Sequence, residues 1–270
     1  MESNQALWEK GDFTKLAAFM RDSGETLVAG LDIHPGMQVL DVGCGDGTTA
    51  LPAARRGAQV LGIDIARNLV AAGNARAQAE GLGSCRFQQG DAVRLVGVAD
   101  RSMDLVLSIF GAMFAPDPLA VAREFVRVTR PGGRIVMGNW ITDDPSFISQ
   151  VLKICARFSP SPPQGFISPL AWGCETNVHG RFAAAGVLPE RIACSRETYV
   201  FRAPIAPEAL IAVMRDYYGP AMNAFEAATQ AGNVQRLQRE LEALANAHNT
   251  STRPDATTIP ATFLKVVVSL

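Results

Sequence analysis

The chain has 270 residues, a net charge of -1 and a pI near 6.3, and 48% of its residues are hydrophobic. That supplies apolar material for a sizeable α/β core and lacks the basic excess of a nucleic-acid or anionic-membrane surface. No apolar run is long enough to span a bilayer, so no stable membrane insertion is expected. The N-terminus MESNQALWEKGDF has no signal-peptide core. The five cysteines, Cys44, Cys85, Cys155, Cys174 and Cys194, form no C-x-x-C pair, which fits reduced thiols in a cytoplasm and no metal site.

In chain order, residues 6–30 read as helical, with Leu7, Trp8, Leu16, Phe19 and Leu27 spaced for buried faces, and His34-Pro35-Gly36 is a turn. Met37–Val42 is a short apolar strand that runs into the cluster Gly43-Cys44-Gly45-Asp46-Gly47. A helix over about Thr48–Arg56 follows, then a strand Gln59–Ile63 closed by Asp64 and an Ala-rich helix Asn68–Glu80. Cys85–Gln89 is a third strand, closed by Gly90-Asp91, and Met103–Ser108 a fourth. Asp117-Pro118 opens a helix as N-cap and first-turn proline, and the helix runs to Arg130 before Pro131-Gly132-Gly133 stops it. Arg134–Trp140 is the fifth strand.

Five strands alternating with helices over about a hundred residues imply an open, mostly parallel sheet with helices on both faces. Ligands of such sheets sit outside the carboxyl ends of the strands. Beyond Trp140, residues 141–170 read as loop-rich, Trp172-Gly173 precedes a helix to about Ala185, and Arg196–Arg202 alternates as a strand. Pro207–Tyr218 and Ala221–His248 read as two helices of a cap inserted over about 205–255, and Lys265–Leu270 is the last strand. The expected whole is one α/β domain. N-terminal helices occupy 1–36, a cofactor-binding core 37–140, and a C-terminal part with a small helical cap 141–270.

The chemistry concentrates in Val39-Leu40-Asp41-Val42-Gly43-Cys44-Gly45-Asp46-Gly47. Glycines after a buried strand let the backbone approach a ligand closely. A dinucleotide fingerprint G-x-G-x-x-G would need its third glycine at 48, where Thr48 stands. Asp41, at the end of the first strand, would repel a pyrophosphate and attract an ammonium or sulfonium, both of which S-adenosylmethionine carries. Asp64 ends the second strand and can accept hydrogen bonds from ribose hydroxyls, and Asp91 ends the third as an acceptor for an adenine amino group. Each Asp taken singly could equally be a cap or turn residue.

The stretches VLDVGCGDGTTALPAARRGAQVLGIDIA, FQQGDA and MDLVLSIFGAMFAPD through REFVRVTRPGGRIVMGNW resemble class I S-adenosylmethionine-dependent methyltransferases, in particular the ubiquinone/menaquinone-biosynthesis-like branch. SPLAWG (168–173), RDYYGP (215–220) and the final strand resemble a large subgroup of that family. The resemblance implies a Rossmann-like sheet of seven strands. It implies that Asp41, Gly43, Cys44 and Gly45 hold the methionyl part of the cofactor. Asp64 and Ile65 would hold the ribose and one adenine face, Asp91 and Ala92 the adenine edge, and Ser108 and Ile109 the amino group through main-chain contacts.

For the acceptor the sequence offers Phe114, Trp140 and Trp172, out of an aromatic and apolar set that also holds Phe110, Met113, Phe166 and Phe225. A general base is optional in methyl transfer. The candidates are His179, whose plainer reading is an exposed helix residue, and Tyr217 and Tyr218, which as chain neighbours cannot share a helix face. An apolar or aromatic small molecule is the expected acceptor. Nucleic acid is not, since no basic tail and no Asn-Pro-Pro-aromatic motif accompanies Ser108-Ile109-Phe110-Gly111. Two other functions remain open on sequence: a nicotinamide-dependent oxidoreductase, and a protein that binds the cofactor without catalysis. The oligomeric state is also open.

Overall fold

The computed structural model describes residues 2–270, with side chains from Asn4 onward. The N-terminal stretch is three short helices, α1 (Glu2–Glu9), α2 (Thr14–Ala17) and α3 (Arg21–Ala29). The core then alternates β1 (Gln38–Val42), α4 (Ala50–Arg55), β2 (Gln59–Asp64), α5 (Arg67–Ala79), β3 (Cys85–Gln89), β4 (Met103–Ile109), α6 (Pro118–Val128) and β5 (Thr129–Trp140). The remainder is α7 (Phe147–Phe158), α8 (Glu175–Ala184), β6 (Ile192–Ala203), α9 (Pro207–Tyr217), α10 (Gly219–Gln230), α11 (Val234–His248) and β7 (Thr257–Ser269).

The seven strands form one sheet in the order β3-β2-β1-β4-β5-β7-β6. The first five pair in parallel, and β7 runs antiparallel to both β5 and β6. The chain reverses direction across the sheet between β1 and β4, and a crevice opens there at the carboxyl ends. Strands buried on both faces explain the near-continuous apolar runs of the sequence. Val39, Leu105 and Val136 face α3, α4 and α5, whereas Leu40, Val106, Ile135 and Met137 face the layer that includes Phe125 of α6 and Val151 of α7.

Several boundaries differ from the sequence reading. α6 ends at Val128, because Thr129 turns extended, its hydroxyl donates back to the Phe125 carbonyl at 2.6 Å, and Arg130 precedes a proline. Residues 141–170 are not all loop: α7 buries Phe147, Ile148, Val151, Ile154 and Cys155 on one face. The long helix expected over Ala221–His248 is two helices, parted at Gly232 with φ +71°. β6 and β7 are each about twice as long as expected, since an antiparallel pair closes the sheet at that edge.

The outer strand β6 would leave unpaired backbone groups on its free edge. Ser23 of α3 covers those of Val200. Its hydroxyl donates to the Val200 carbonyl at 2.9 Å and accepts from the Val200 N–H at 3.0 Å. One step along the edge, the Arg202 N–H donates to the Phe19 carbonyl at 2.9 Å. The helices α9, α10 and α11 between β6 and β7 pack on one another, and α10 and α11 also pack on α7. α10 also meets the N-terminal segment, where Gly219 lies against the Leu7 carbonyl. Among the described residues no helix is long and apolar enough to cross a membrane, and all five cysteines are free thiols.

Candidate cofactor and acceptor cleft

β1 delivers the chain into a bend with three left-handed glycines, Gly43 (φ +69°), Gly45 (φ +55°) and Gly47 (φ +94°). Side chains other than glycine enter this region at a cost. Gly43 also passes Gly111 so closely that a Cβ would lie 2.6 Å from the Gly111 Cα. Gly45 differs: a Cβ there would meet nothing within 4 Å, so its bare face opens on the cleft. The bend is hung on β2 by the Gly43 N–H, which donates to the Ile63 carbonyl at 2.7 Å.

Asp64 sits at the mouth, on the cleft wall with Ile65. Its two carboxylate oxygens accept from the Gly45 N–H at 2.8 Å and the Ala66 N–H at 2.9 Å, and burial pushes its pKa up. Each oxygen keeps a lone pair for a hydroxyl donor. Asp91 and Ala92 line the same wall, with one Asp91 oxygen accepting from the Val93 N–H at 3.0 Å. The Cys44 sulfur turns into the core beside Gly62, so Cys44 borders the cleft through its backbone.

Asp41 lies beneath the bend and does not form part of the cleft wall. One of its oxygens accepts from the Thr49 hydroxyl at 2.6 Å, and the other is buried without a partner. Burial pushes its carboxyl up to about 7, against the lowering effect of the Thr49 bond. Folded chains therefore hold this proton from about pH 4 to 7, where unfolded chains have lost it. Its contribution to stability is complete below the ordinary value of 3.8 and is lost as pH rises through about 7. Asp41→Asn is expected to flatten that decline and to melt higher than the parent above pH 7. Melting curves at steps across pH 4–8 check this, and parallel profiles would contradict it.

Ser108 is also behind the wall: its hydroxyl donates to the Val42 carbonyl at 2.7 Å and accepts from the Ala112 N–H at 2.9 Å, stapling β1 to the turn after β4. Ile109 does line the cleft. Phe110 follows with φ +62°, an uncommon conformation for a bulky residue and the kind of strain that clusters at functional sites. Surrounding contacts hold it there. Its ring stacks on Trp140 at 3.7 Å and meets Tyr199 and Phe263 edge-on at 5.0 and 5.3 Å.

Of the three expected acceptor contacts, only Phe114 lines the cleft. Trp140 is displaced behind Phe110 by that stacking. Trp172 is buried elsewhere, beneath the Arg181 guanidinium and beside Phe182. The three base candidates also lie off the cleft. His179 is half-buried on α8, and Tyr217 is half-buried at the end of α9. Tyr218 is buried behind the roof against Trp8 and Phe13, each at 6.1 Å.

The sequence reading missed the roof. Trp8, Phe13, Ala17 and Met20 of the N-terminal segment close over the bend, and Trp8 meets Phe114 edge-on at 4.9 Å. Glu9 fastens this segment to the start of α5. Its carboxylate takes both Arg67 Nε, at 3.0 Å, and the Arg67 N–H, at 3.0 Å, and the guanidinium holds the carboxyl down at about 2. The end wall is Tyr199 of β6, whose hydroxyl donates to the Met20 carbonyl at 2.9 Å. The cleft holds a cavity of about 110 Å³ that opens to solvent, and its described lining carries Asp46, Asp64 and Asp91 and no Lys or Arg. A diphosphate would find no counter-charge there, whereas a cationic nucleoside would.

The strand order, the glycine bend and the acid at the end of β2 define the α/β fold of class I methyltransferases. Residues 40–137 match the family model described as a methyltransferase domain. The uncharacterized protein Rv1403c of Mycobacterium tuberculosis is 31% identical over 226 residues, covering 83% of this chain and 79% of its own length. Rv1405c of the same organism is 38% identical over 179 residues, which span 66% of this chain and 64% of that relative. Among solved structures, the YcgJ protein of Bacillus subtilis superposes with a TM-score of 0.60 at 20% identity, covering 92% of this chain and 99% of that one. The chain belongs to the S-adenosylmethionine-dependent methyltransferase family, and that family's cofactor is the one the bare Gly45 face and the acid-lined wall fit. These matches reach the family and not the ubiquinone/menaquinone-biosynthesis-like branch.

Proposed function

We propose that the chain catalyses in-line methyl transfer from S-adenosylmethionine to a small apolar or aromatic acceptor. The observation that carries the acceptor class is the aromatic enclosure beyond the bend: Trp8, Phe13 and Met20 above, Phe110 and Phe114 beside, Tyr199 at the end. Such a chamber favours a flat apolar molecule through burial and ring packing. It offers a sugar or a polyanion no comparable partners.

The cofactor supplies a methyl group already activated on sulfonium. The chain's part is to hold that group and the acceptor in line and to keep water out. Asp64 and Asp91 are assigned the ribose and the adenine edge, and Gly43 to Gly45 the methionyl tail. Tyr199 is an unsuitable base at neutral pH, because burial pushes its pKa up and its hydroxyl is already committed to Met20. The described cleft lining contains no imidazole. The dependence of rate on pH is therefore assigned to the acceptor's own nucleophile.

Fold alone does not name a reaction. A [4+2]-cyclase, SpnF, shares this fold at 21% identity with a TM-score of 0.56. The decisive assay is transfer of label from methyl-labelled S-adenosylmethionine to a panel of phenols, aromatic acids and isoprenoid alcohols, set beside sugars and polyamines. Label in the first group supports the proposal. Label only in the second, or in none while the cofactor binds, counts against it.

A further inference from the structure

The bend and the roof meet at one ionic junction built around a buried carboxylate. Asp46, in the bend between Gly45 and Gly47, is 1% exposed. Arg21, the first residue of α3, places one terminal nitrogen 2.9 Å from Asp46 Oδ2. Arg76 of α5 comes within 3.2 Å of the same oxygen and donates to the Asp46 carbonyl at 2.7 Å. α3 also rides directly on the bend, since a Cβ on Gly24 would lie 2.6 Å from the Thr48 carbonyl oxygen.

Arg21 stands between two residues tied to the end wall. Met20 before it lines the cleft and accepts the Tyr199 hydroxyl, and Ser23 after it grips the Val200 backbone. A shift of the bend under Asp46 would reach Met20, Tyr199 and the roof through the Arg21 guanidinium, alongside the backbone contact of Gly24 with Thr48. The junction also has a tighter arrangement within reach. The contact is single, and it leaves Arg21 Nε and Asp46 Oδ1 both buried without partners. A fork-to-fork pair would satisfy both atoms at once. Two unpaired buried atoms of opposite character on residues already in contact are costly, so a rearrangement that pairs them is favoured.

We propose that Arg21 is a positioning residue that couples filling of the glycine bend to closure of the acceptor chamber, by passing from a single to a double contact with Asp46. This rests on the cofactor reading above and goes beyond it, because it assigns the order of events: the bend is filled first and the acceptor wall then sets. The role needs a planar fork, which lysine lacks.

Hydrogen–deuterium exchange of residues 8–20, with and without S-adenosylhomocysteine, tests it together with calorimetry on the parent, Arg21→Lys and Arg21→Ala. In the parent, the ligand is expected to slow exchange across 8–20 about ten-fold. Arg21→Lys should keep the unliganded exchange near that of the parent, with its single charge contact, while losing most of the ligand-induced slowing and about ten-fold in affinity. Arg21→Ala should raise exchange in 8–20 even without ligand. If Arg21→Lys responds to the ligand as the parent does, the coupling is refuted. If Arg21→Ala speeds exchange over the whole chain rather than in 8–20, the residue is only a structural prop and the proposal falls. A parent that binds no S-adenosylhomocysteine overturns the cofactor reading and the coupling with it, while the unliganded comparison of Arg21→Ala still decides whether Arg21 anchors the roof.

Discussion

Asp64→Ala is expected to weaken S-adenosylhomocysteine binding by at least about a hundred-fold while the chain stays folded. Its two oxygens fix the Gly45 and Ala66 N–H groups and keep lone pairs turned to the cleft. In the role proposed for it, the carboxylate accepts from both ribose hydroxyls. Hydrogen bonds to a charged group contribute about 1.5–3 kcal/mol each. Two of them correspond to roughly a hundred-fold or more in affinity, at 1.4 kcal/mol per factor of ten. The effect on folding is smaller, because two terms oppose each other. Removing a buried charge relieves a desolvation cost, and orphaning two N–H groups adds about 1–3 kcal/mol each. Asp64→Asn, which keeps an acceptor and loses the charge, should fall between. Isothermal titration of the three proteins measures this, and unchanged affinity in Asp64→Ala would remove the ribose assignment.

Gly43→Ala should be strongly destabilising. The residue is left-handed, which costs about 1–2 kcal/mol for an alanine. The new Cβ would also stand 2.6 Å from the Gly111 Cα and 2.8 Å from its carbonyl carbon, both backbone atoms at the crossing of two loops. Overpacking of that kind adds about 1–3 kcal/mol. The sum, about 2–5 kcal/mol, predicts a melting temperature lower by roughly 4–20 °C, at about 2–4 °C per kcal/mol for a chain of this size. Gly45→Ala has the same left-handed penalty and no clash, so it should melt within a few degrees of the parent and yet lose cofactor affinity, because its methyl group fills the open face of the bend. Thermal melts of the two variants separate the structural glycine from the binding one. Equal melting temperatures would contradict the close approach.

These contrasts also mark what could be read before the structure. The part of the chain from Met37 to Trp140 was legible because its strands are short, mostly apolar runs that stop abruptly at Gly43, Asp64 and Gly90-Asp91, and because Asp117-Pro118 announces α6. Periodicity alone also contained α7: Phe147, Ile148, Val151, Ile154 and Cys155 follow helical spacing. The Asp143-Asp144-Pro145 and Ser159–Pro163 flanks hid it. The depth of Asp41 was not readable, since its place at the strand end is shared with Asp64 and only the sheet's pleat and twist decide which carboxylate reaches the opening.

The acceptor side was the least legible. It is assembled from α1, the segment around Phe13, the start of α3, the turn after β4, and β6, which are up to about 190 residues apart in sequence. Trp8 and Met20 look like ordinary helix-face residues until the edge of β6 draws α3 toward the bend. Conversely, Trp140 and Trp172 had the composition of pocket residues, yet stacking on Phe110 and packing on Phe182 and Arg181 use them as support. Arg21 carried no signal of its own, because a lone arginine at a helix start acquires meaning only from the buried carboxylate it meets.

This bend and its acids are shaped for a sulfonium nucleoside and its thioether product, and not for a dinucleotide. Calorimetric titration of the intact chain with S-adenosylhomocysteine and, separately, with NADH tests it most directly. The account predicts saturable one-to-one binding of the first and none of the second. Saturable binding of NADH with no response to S-adenosylhomocysteine would contradict it.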